Sequence, residues 1–387
     1  MTSRHAQWDA LTPAALQERG SMKWTGFPGA LGAWVAEMDF GTSPAVLAML
    51  EQVVRRQDFG YLHPAAQEAV KDATAAFVAQ RYGWPIDVGA VHVIPDVIEG
   101  VKLAIAEFSP PGSPIILPSP AYMPFFEVPG MVKRDLVEVP MAADHGRYSF
   151  DLDALDRALG GGGTLILCNP YNPLGRVFTA DELHAVARVV EANGARVVAD
   201  EIHAPLVYQG YAHVPYASLS TAAAGHTITV LSPSKGWNLP GLKSAQLVTS
   251  NDRDAEIMAG LGMWPSHGAS TPGVWASVAA YRDDTDWFDD VLAYLDGNRQ
   301  YLADLLAGEL PQVRYRPPEG TYLAWLDVRE LGLGSGDVAQ RLRTTAGIAV
   351  VDGAACHGQG FLRVNFGTGR GVLDQVVAGL ARAANAA

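Results

Sequence analysis

The sequence predicts an α/β protein built on a doubly wound, mainly parallel sheet. Two observations carry this prediction: short runs of apolar residues without polar alternation, and helical patterns between those runs. Continuously apolar strands are expected where helices cover both faces of a parallel sheet. The predicted strands are Pro114–Leu117, Leu136–Pro140, Thr164–Cys168, Ala195–Asp200, Thr227–Ser232 and Ala245–Ser250.

The clearest helix between two of these strands is predicted at Ala180–Asn193. Thr179 precedes it as a candidate N-cap, and Gly194 follows it as a stop signal. The alternation of strands and helices places a large domain at residues 46–285. Residues 1–45 form an N-terminal arm ahead of it.

The C-terminal part has a different pattern and predicts a smaller α+β domain at residues 286–387. A long helix is predicted over Asp284–Leu310, because apolar residues recur there at spacings of three and four on one stripe. Strands are predicted at Thr321–Val328 and Phe361–Phe366, with a helical segment beginning at Asp337 between them. We expect the N-terminal arm to pack with this smaller domain.

Composition and charge exclude several classes of function. The chain has 387 residues, with 28 Lys and Arg against 41 Asp and Glu, so its formal net charge is −13. This acidic balance counts against nucleic acid or an anionic membrane as the main partner. No run of 18 apolar residues could span a membrane, and the first nine residues lack the apolar core of a signal peptide. We therefore expect a cytoplasmic enzyme.

The cysteine and histidine residues predict neither a disulfide framework nor a metal site. Cys168 and Cys356 are too few for a disulfide framework or a Cys-rich zinc site. The ten histidines include no His-Glu-x-x-His pair. No bound metal is expected.

Polar residues are concentrated in segments near the ends of predicted strands, where ligands of open α/β sheets bind. Each segment alone has an ordinary explanation: an Asn-Pro turn, a helix cap, a surface lysine or a solvent-facing arginine. Their occurrence together favours a shared site. The segments are Asn169–Gly175, Asp200–His203, Ser232–Asn238 and, in the smaller domain, Phe361–Asn365.

Pyridoxal phosphate accounts for this combination, because it needs a lysine for its Schiff base and an acidic partner for its ring nitrogen. Lys235 can supply the imine, and an ionised Asp200 can keep the ring nitrogen protonated. Asn172 and His203 can hydrogen-bond the phenolic oxygen of the ring. Arg363 can clamp a substrate carboxylate with its planar fork of donors. The candidates for the phosphate are Ser232, Ser234 and Lys243.

These segments, in this order, resemble the four signature blocks of the fold-type I, class I/II aminotransferase-like enzymes. The matching blocks are Asn169–Gly175, Asp200–His203, Ser232–Lys235 and Arg363. The resemblance implies the type I fold of pyridoxal-phosphate-dependent transferases. In that fold, a large domain holds a mainly parallel seven-stranded sheet and a smaller α+β domain follows it. The resemblance also implies a small amino-acid substrate and a homodimer with its active sites at the interface.

Further motifs narrow the resemblance to the cystathionine β-lyase subgroup, the MalY/PatB-type C–S lyases. Lys23-Trp24 and Trp34–Phe40 resemble the N-terminal signature of this subgroup. Histidine at position 203 is typical of it, whereas many aminotransferases carry tyrosine there. Lys235–Lys243 and Gly320–Trp325 also fit its pattern.

The same resemblance implies four more residues of the cofactor site. Tyr61 reaches the phosphate of the neighbouring subunit, and Tyr122 stacks on the pyridine ring. Asp96 and Val97 offer N–H groups to the phosphate at the start of a helix, where the helix dipole favours an anion. The sequence departs from the subgroup in having Asp rather than Gly at position 96. The other departures are Gly236, Trp237 and Gly367.

The resemblance implies α,β-elimination from an S-substituted cysteine, which gives a thiol, pyruvate and ammonia. Lys235 is the expected general base. Transamination between an amino acid and a 2-oxo acid is the nearest alternative, because it uses the same Lys235, Asp200 and Arg363. A non-catalytic regulatory scaffold that keeps the fold is a remote alternative, against which the intact lysine, aspartate and arginine argue.

Overall fold

The computed structural model describes residues 3–333 and 336–385. The outermost residues of the predicted arm and smaller domain, 1, 2, 386 and 387, lie outside the described residues, as do 334 and 335. The helices are α1 (Ser3–Asp9), α2 (Pro13–Arg19), α3 (Met22–Thr25), α4 (Pro44–Arg56), α5 (Pro64–Tyr82), α6 (Val97–Phe108), α7 (Pro124–Met131), α8 (Leu152–Leu159), α9 (Ala180–Ala192), α10 (Thr221–Gly225), α11 (Asp252–Gly260), α12 (Thr271–Tyr281), α13 (Trp287–Glu309), α14 (Val338–Ala346) and α15 (Arg370–Asn385).

The strands form one large sheet, one smaller sheet and two short pairs. The strands are β1 (Leu31–Gly32), β2 (Val91–Ile94), β3 (Ile115–Ser119), β4 (Leu136–Pro140), β5 (Ala142–Asp144), β6 (Arg147–Ser149), β7 (Thr164–Cys168), β8 (Arg196–Asp200), β9 (Thr227–Leu231), β10 (Ala245–Thr249), β11 (Arg314–Tyr315), β12 (Leu323–Asp327), β13 (Ile348–Ala349), β14 (Val351–Asp352) and β15 (Phe361–Asn365).

The large sheet has seven strands in the order β2-β10-β9-β8-β7-β3-β4. Strands β4, β3, β7, β8 and β9 run parallel, whereas β10 is antiparallel to both of its neighbours, β9 and β2. Two reversals in succession make β2 point in the same direction as β9. The carboxyl ends of β2 and of the parallel strands therefore lie at one edge of the sheet.

Helices cover both faces of this sheet, as the apolar runs predict. In β9, Val230 packs into a core shared with α6, α8 and α9, and its neighbour Leu231 packs into another core shared with α5 and α12. In β10, Leu247 packs into the first of these cores and its neighbour Val248 into the second. Successive strand residues point to opposite faces, so both faces of these strands are buried. The doubly wound architecture is confirmed.

The predicted elements of the chain are present within a few residues of their expected ends. Helix α9 ends one residue earlier than predicted, and its start is a full capping box between Thr179 and Glu182. The long helix α13 begins at Trp287, three residues later than predicted, and ends one residue earlier. Strand β2 was not predicted, because its four residues include the polar His92 and give too short an apolar run.

The smaller sheet contains β11, β12, β15 and β14, all antiparallel to their neighbours. Helix α13 packs against α15, and the apolar stripe of α13 joins a core with β12 and β15. Arg363 lies in β15, opposite Trp325 of β12 and Val351 of β14. Arg363 is therefore fixed in the middle of this sheet, between two neighbouring strands.

The N-terminal arm crosses to the C-terminal part of the chain, where a strand pairing and a buried lysine hold it. Strand β1 pairs in parallel with β13. Lys23 Nζ donates to Asp39 Oδ2 at 2.9 Å and to the Gly367 carbonyl at 3.2 Å, and Trp24 Nε1 donates to Asp39 Oδ1 at 2.8 Å. Gly32 makes this approach possible, since a Cβ there would lie 2.3 Å from the Lys23 carbonyl oxygen. Among the described residues, no helix is long and apolar enough to cross a membrane.

Candidate active site

The predicted site residues are brought to the carboxyl edge of the large sheet by strands that end there. Asp200 is the last residue of β8, and His203 follows it. Asn172 comes after β7, and Lys235 comes after β9. Lys243 reaches the same edge from the other side, because it precedes the antiparallel β10. The remaining residues at this edge are Asp96 and Val97 after β2, Tyr122 after β3, and Ser232 and Ser234 after β9.

One cavity of about 500 Å³ collects these side chains between the large sheet, β15 and the N-terminal arm. Tyr61 is the exception: it does not line this cavity, and 89% of its surface is exposed. The predicted site residues that line the cavity are Asp96, Val97, Tyr122, Asn172, Asp200, His203, Ser232, Ser234, Lys235, Lys243 and Arg363.

Lys235 lies inside this cavity with its ammonium held by the N-terminal arm. Its Nζ donates a hydrogen bond to the carbonyl oxygen of Ala36 at 3.0 Å. Burial, followed by the nearby positive charge of Arg363, lowers the pKa of Lys235 to about 8. The amine is therefore partly neutral close to physiological pH, which suits a nucleophile or a general base.

Gly236 and Trp237, which depart from the subgroup pattern, form a packed unit behind the lysine. The Trp237 indole stacks on Phe288 with ring centroids 4.5 Å apart and donates its N–H to Asp283 Oδ2 at 2.9 Å. A Cβ at Gly236 would lie 3.2 Å from Phe288 and 3.3 Å from Pro205. The lack of a side chain at 236 leaves room for the large indole at 237.

Asp200 presents a buried carboxylate to the cavity floor. Its Oδ1 accepts the Ile202 N–H at 3.0 Å, and only 3% of the residue is exposed. Burial is the main reason that the pKa of Asp200 rises to about 7, and the charge of Glu201 adds to the shift. A protonated ring nitrogen facing this carboxylate would compensate for that burial.

Arg363 and Asn172 form a hydrogen-bonded pair in the lining of the cavity. Arg363 Nη1 donates to Asn172 Oδ1 at 3.1 Å, and Nη2 donates to the Trp34 carbonyl at 3.0 Å. Its Nε is buried without a hydrogen-bond partner among the described residues. A buried guanidinium with an unused donor fits a bound carboxylate.

His203 is buried beside these groups and remains neutral. Burial, then the positive charges of Lys235 and Arg363, lower the pKa of His203 to about 3. Its Nδ1 is a second buried atom without a partner in the described part of the chain. A neutral imidazole with one unused nitrogen can donate to or accept from an oxygen on a ligand.

The remaining predicted residues also line the cavity. Tyr122 lines the cavity wall, where burial raises the pKa of its hydroxyl. Ser232 is buried, and its hydroxyl already donates to the Ser244 carbonyl at 2.8 Å and accepts the Ser234 N–H at 3.1 Å. Lys243 Nζ donates to Asp96 Oδ2 at 2.8 Å. The Ser232 hydroxyl therefore orders the serine turn, and Lys243 supplies a cation beside Asp96.

Residues that sequence reasoning missed also line the cavity. Trp34, Ala36, Met123 and Val351 are apolar or act through backbone carbonyls, and none of them titrates. Tyr322 lies just behind them, and its hydroxyl donates to the same Ala36 carbonyl as Lys235, at 2.8 Å. The recognised Trp34–Phe40 motif was the available signal, but it does not tell which of its backbone atoms face the site.

A doubly wound sheet with a buried lysine, an aspartate at a strand end and a buried arginine in one cavity is typical of a lysine-centred α/β enzyme. Residues 35–380 match the family model for aminotransferases of class I and II. The chain belongs to this family.

Within the family, the relatives that share more than 30% of their residues with this chain include several proteins named cystathionine beta-lyase. The chain is 37% identical to a cystathionine beta-lyase of Corynebacterium glutamicum, over 93% of this chain and 95% of that protein. It is 31% identical to the cystathionine beta-lyase PatB of Bacillus subtilis, over 90% and 92% of the two chains. The predicted subgroup is confirmed.

Solved structures agree with this placement. A Corynebacterium diphtheriae protein, provisionally named a PLP-dependent beta-cystathionase, superposes with a TM-score of 0.91 at 37% identity, over 97% of this chain and 98% of that chain. The PLP-bound C–S lyase from Staphylococcus hominis superposes with a TM-score of 0.86 at 25% identity, over 94% and 95%. The type I transferase fold is confirmed.

Proposed function

We propose that this protein is a pyridoxal-phosphate-dependent C–S β-lyase that eliminates a thiol from an S-substituted cysteine. The overall reaction consumes water and releases the thiol, pyruvate and ammonia. The observation that carries the proposal is the position of Lys235, whose pKa is about 8, in one cavity with Asp200 and Arg363. The names of the relatives support the choice of a C–S lyase within the family.

The residues of the cavity fit pyridoxal phosphate. Asp200 is a buried carboxylate suited to a cationic ring nitrogen, and His203 Nδ1 is an unused polar atom suited to a ring oxygen. When bound, the cofactor supplies an electron sink for the negative charge that develops at the substrate α-carbon. The residues proposed to hold it are Lys235 as the covalent anchor, Asp200, Asn172, His203 and Tyr122 around the ring, and Ser232, Ser234, Lys243 and the backbone N–H groups of Asp96 and Val97 at the phosphate.

The chain's own groups divide the work of elimination. Asp200 holds a proton on the ring nitrogen, because an ionised carboxylate favours a charged partner. Arg363 binds the substrate carboxylate and so fixes which bond of the α-carbon faces the cofactor. Lys235 Nζ leaves the Ala36 carbonyl and, in its neutral form, removes the α-proton as general base.

We also propose that the active form is a homodimer in which Tyr61 completes the neighbouring site. Tyr61 is 89% exposed and lies beside Phe59, which is 60% exposed. The segment is nevertheless held in place, because the Trp275 indole donates to Asp58 Oδ2 at 2.9 Å and the Thr271 hydroxyl donates to the Gly60 carbonyl at 2.9 Å. An ordered segment that presents large apolar side chains to solvent is suited to a subunit interface.

The domain division and the cellular location are part of the same proposal. The large domain covers residues 46–285 and holds the cofactor, whereas residues 286–387 form the smaller domain that carries Arg363. The arm at residues 1–45 joins the smaller domain through the pairing of β1 with β13. A cytoplasmic location remains the expectation.

Transamination is the second candidate, because the family model is named for aminotransferases and the same three site residues would serve. The two reactions differ in their need for a 2-oxo acid. The test incubates purified, cofactor-loaded protein with L-cystathionine alone and measures pyruvate, ammonia and free thiol. We expect all three in equal amounts, with no stimulation by 2-oxoglutarate.

Two variants control this experiment. Lys235→Ala removes the proposed base and should lose at least about a thousandfold in turnover. Lys71→Ala, which removes a lysine whose partner Glu68 lies one helix turn away on α5, should leave turnover unchanged. A strict requirement for 2-oxoglutarate with formation of glutamate would favour transamination. A purified protein unable to take up pyridoxal phosphate would favour the non-catalytic regulatory scaffold.

A further inference from the structure

The phosphate end of the cavity contains a carboxylate of the protein itself. Asp96 is the N-cap of the twelve-residue helix α6, and its Oδ1 accepts the Glu99 N–H at 2.9 Å. Its Oδ2 accepts a hydrogen bond from Lys243 Nζ at 2.8 Å. The Asp96 carboxylate is therefore bonded to both groups that would attract a phosphate here, the N–H groups at the start of a helix and a lysine cation.

This carboxylate is ionised in the folded protein. Burial alone would raise the pKa of Asp96, but the hydrogen bonds from Lys243 and from the α6 backbone outweigh it and lower the pKa. Glu99, which also lines the cavity, is drawn towards Lys102, with Nζ and Oε2 2.5 Å apart. The Lys243 charge is thus already balanced by Asp96 before any phosphate arrives.

We propose that Asp96 opposes the cofactor phosphate and sets a deliberately moderate affinity for pyridoxal phosphate. The inference rests on the proposed function, in which the phosphate lies at the start of α6. A dianion placed there must share Lys243 with a second negative charge, and the two anions repel each other. A neutral cap at the same position would leave Lys243 and the helix start to the phosphate alone.

The test compares Asp96→Asn with the wild type, because asparagine is nearly isosteric and caps a helix about as well as aspartate. Cofactor-free protein is titrated with pyridoxal 5′-phosphate and, separately, with pyridoxal, which lacks the phosphate. Bound cofactor is followed by absorbance rather than by turnover. We expect the dissociation constant of the variant for pyridoxal phosphate to fall about tenfold, the scale of one screened charge pair near a surface, with pyridoxal unchanged.

Asp151→Asn is the matched control. Asp151 caps α8 through the equivalent hydrogen bond, its Oδ1 accepting the Ala154 N–H at 2.9 Å, but it does not line the cavity. This variant should bind both compounds as the wild type does. Asp96→Ser, also a neutral cap, provides a second variant if the asparagine side chain rearranges.

Several results would overturn the inference. An unchanged or weaker affinity of both Asp96 variants for pyridoxal phosphate would mean that Asp96 assists the phosphate by orienting Lys243. An equal gain for pyridoxal would mean that the effect does not depend on the phosphate. Failure of the wild-type protein to bind pyridoxal phosphate at all would instead refute the proposed function, and this inference with it.

Discussion

Lys235 and Ala36 are joined by a hydrogen bond of 3.0 Å across 199 positions of the chain, from the ammonium of the one to the carbonyl oxygen of the other. The same carbonyl accepts the Tyr322 hydroxyl at 2.8 Å. Three distant parts of the chain therefore meet at one backbone oxygen: the turn after β9, the N-terminal arm and the segment before β12. Lys235 is therefore positioned by the arm as well as by the strand that precedes it.

The lowered pKa of Lys235 predicts how the cofactor-free protein captures pyridoxal phosphate. The neutral amine is the reactive form. With a pKa of about 8, about a quarter of the amines are neutral at pH 7.5, against roughly a thousandth at the ordinary value. The capture rate should rise about fifteenfold from pH 6.5 to 8.0 and then level off. Stopped-flow absorbance measures it. A rate still climbing steeply above pH 9 would contradict the lowered pKa.

Arg363→Lys should lower the affinity for the substrate while leaving the fold intact. Lysine keeps the charge but cannot offer two parallel donors to a carboxylate. We expect kcat/KM for L-cystathionine to fall about 30- to 100-fold, mainly through KM. Steady-state kinetics measure this loss. The control is Arg329→Lys, which alters a 60% exposed side chain paired with Asp327 and should change neither constant. An unaltered KM in Arg363→Lys would refute its carboxylate-binding role.

Asp200→Asn should stabilise the cofactor-free protein, and more so at high pH. Burial raises the pKa of Asp200 from 3.8 to about 7, so the folded state holds its proton while the unfolded chain has lost it. Wild-type stability therefore falls as pH rises between these values. From pH 5 to 8, the variant should gain about 2–3 kcal/mol relative to the wild type.

Urea unfolding of both proteins at the two pH values measures this difference, with Asp151→Asn as the control. An equal difference at pH 5 and pH 8 would contradict the raised pKa. Bound pyridoxal phosphate should reverse the order, because the variant no longer offers a charged partner to the ring nitrogen.

Lys23→Met should be among the most destabilising changes to the arm. The Lys23 and Asp39 side chains are 0% and 2% exposed, so the variant leaves a buried carboxylate without its cation. We expect a loss of about 3–5 kcal/mol in the free energy of unfolding, measured by urea titration. Arg55→Met breaks an exposed pair with Glu51 and should change stability by less than about 1 kcal/mol. Similar losses in the two variants would show that burial of the pair is unimportant.

Mixed dimers test whether Tyr61 serves the neighbouring site. Lys235→Ala and Tyr61→Ala should each be impaired as homodimers. A heterodimer of the two variants would contain one site with both an intact lysine and an intact tyrosine. Equimolar mixing with subunit exchange should therefore restore about a quarter of wild-type turnover, because half of the dimers are mixed and each has one good site. Turnover no greater than the average of the two homodimers would place Tyr61 in its own subunit's site or in none.

The large sheet was predictable from sequence because most of its strands are continuous runs of apolar residues, which are recognisable without knowing their partners. The apolar run Thr164–Cys168 has exactly the bounds of β7, and Thr179 begins α9 through a capping box that the sequence displays. Strand β2 escaped prediction because its place depends on pairing with β10, far along the chain. Local sequence patterns predict strands that form an unbroken apolar run. The position of a short edge strand depends instead on the strand with which it pairs.

In the candidate site, the predictable residues were those whose side-chain type alone indicates a chemical role. Lys235, Asp200 and Arg363 carry charges that a buried site must use, and they meet in one cavity. Ala36 and Trp34 contribute carbonyl oxygens, which every residue has, so nothing in the sequence distinguishes them. The pairing of Asp96 with Lys243 could not be predicted from the sequence either, since it depends on where β10 begins relative to α6.

The attachment of the arm to Gly367 also bears on when the arm can finish folding during synthesis. Asp39 donates its N–H to the Gly367 carbonyl at 2.9 Å, so Asp39 leaves the ribosome long before its partner does. Chains are synthesised from the N-terminus at roughly 5–20 residues per second, so the arm waits tens of seconds for that partner. Until then the arm lacks its contact with Gly367, although the strands of the large sheet have already been synthesised.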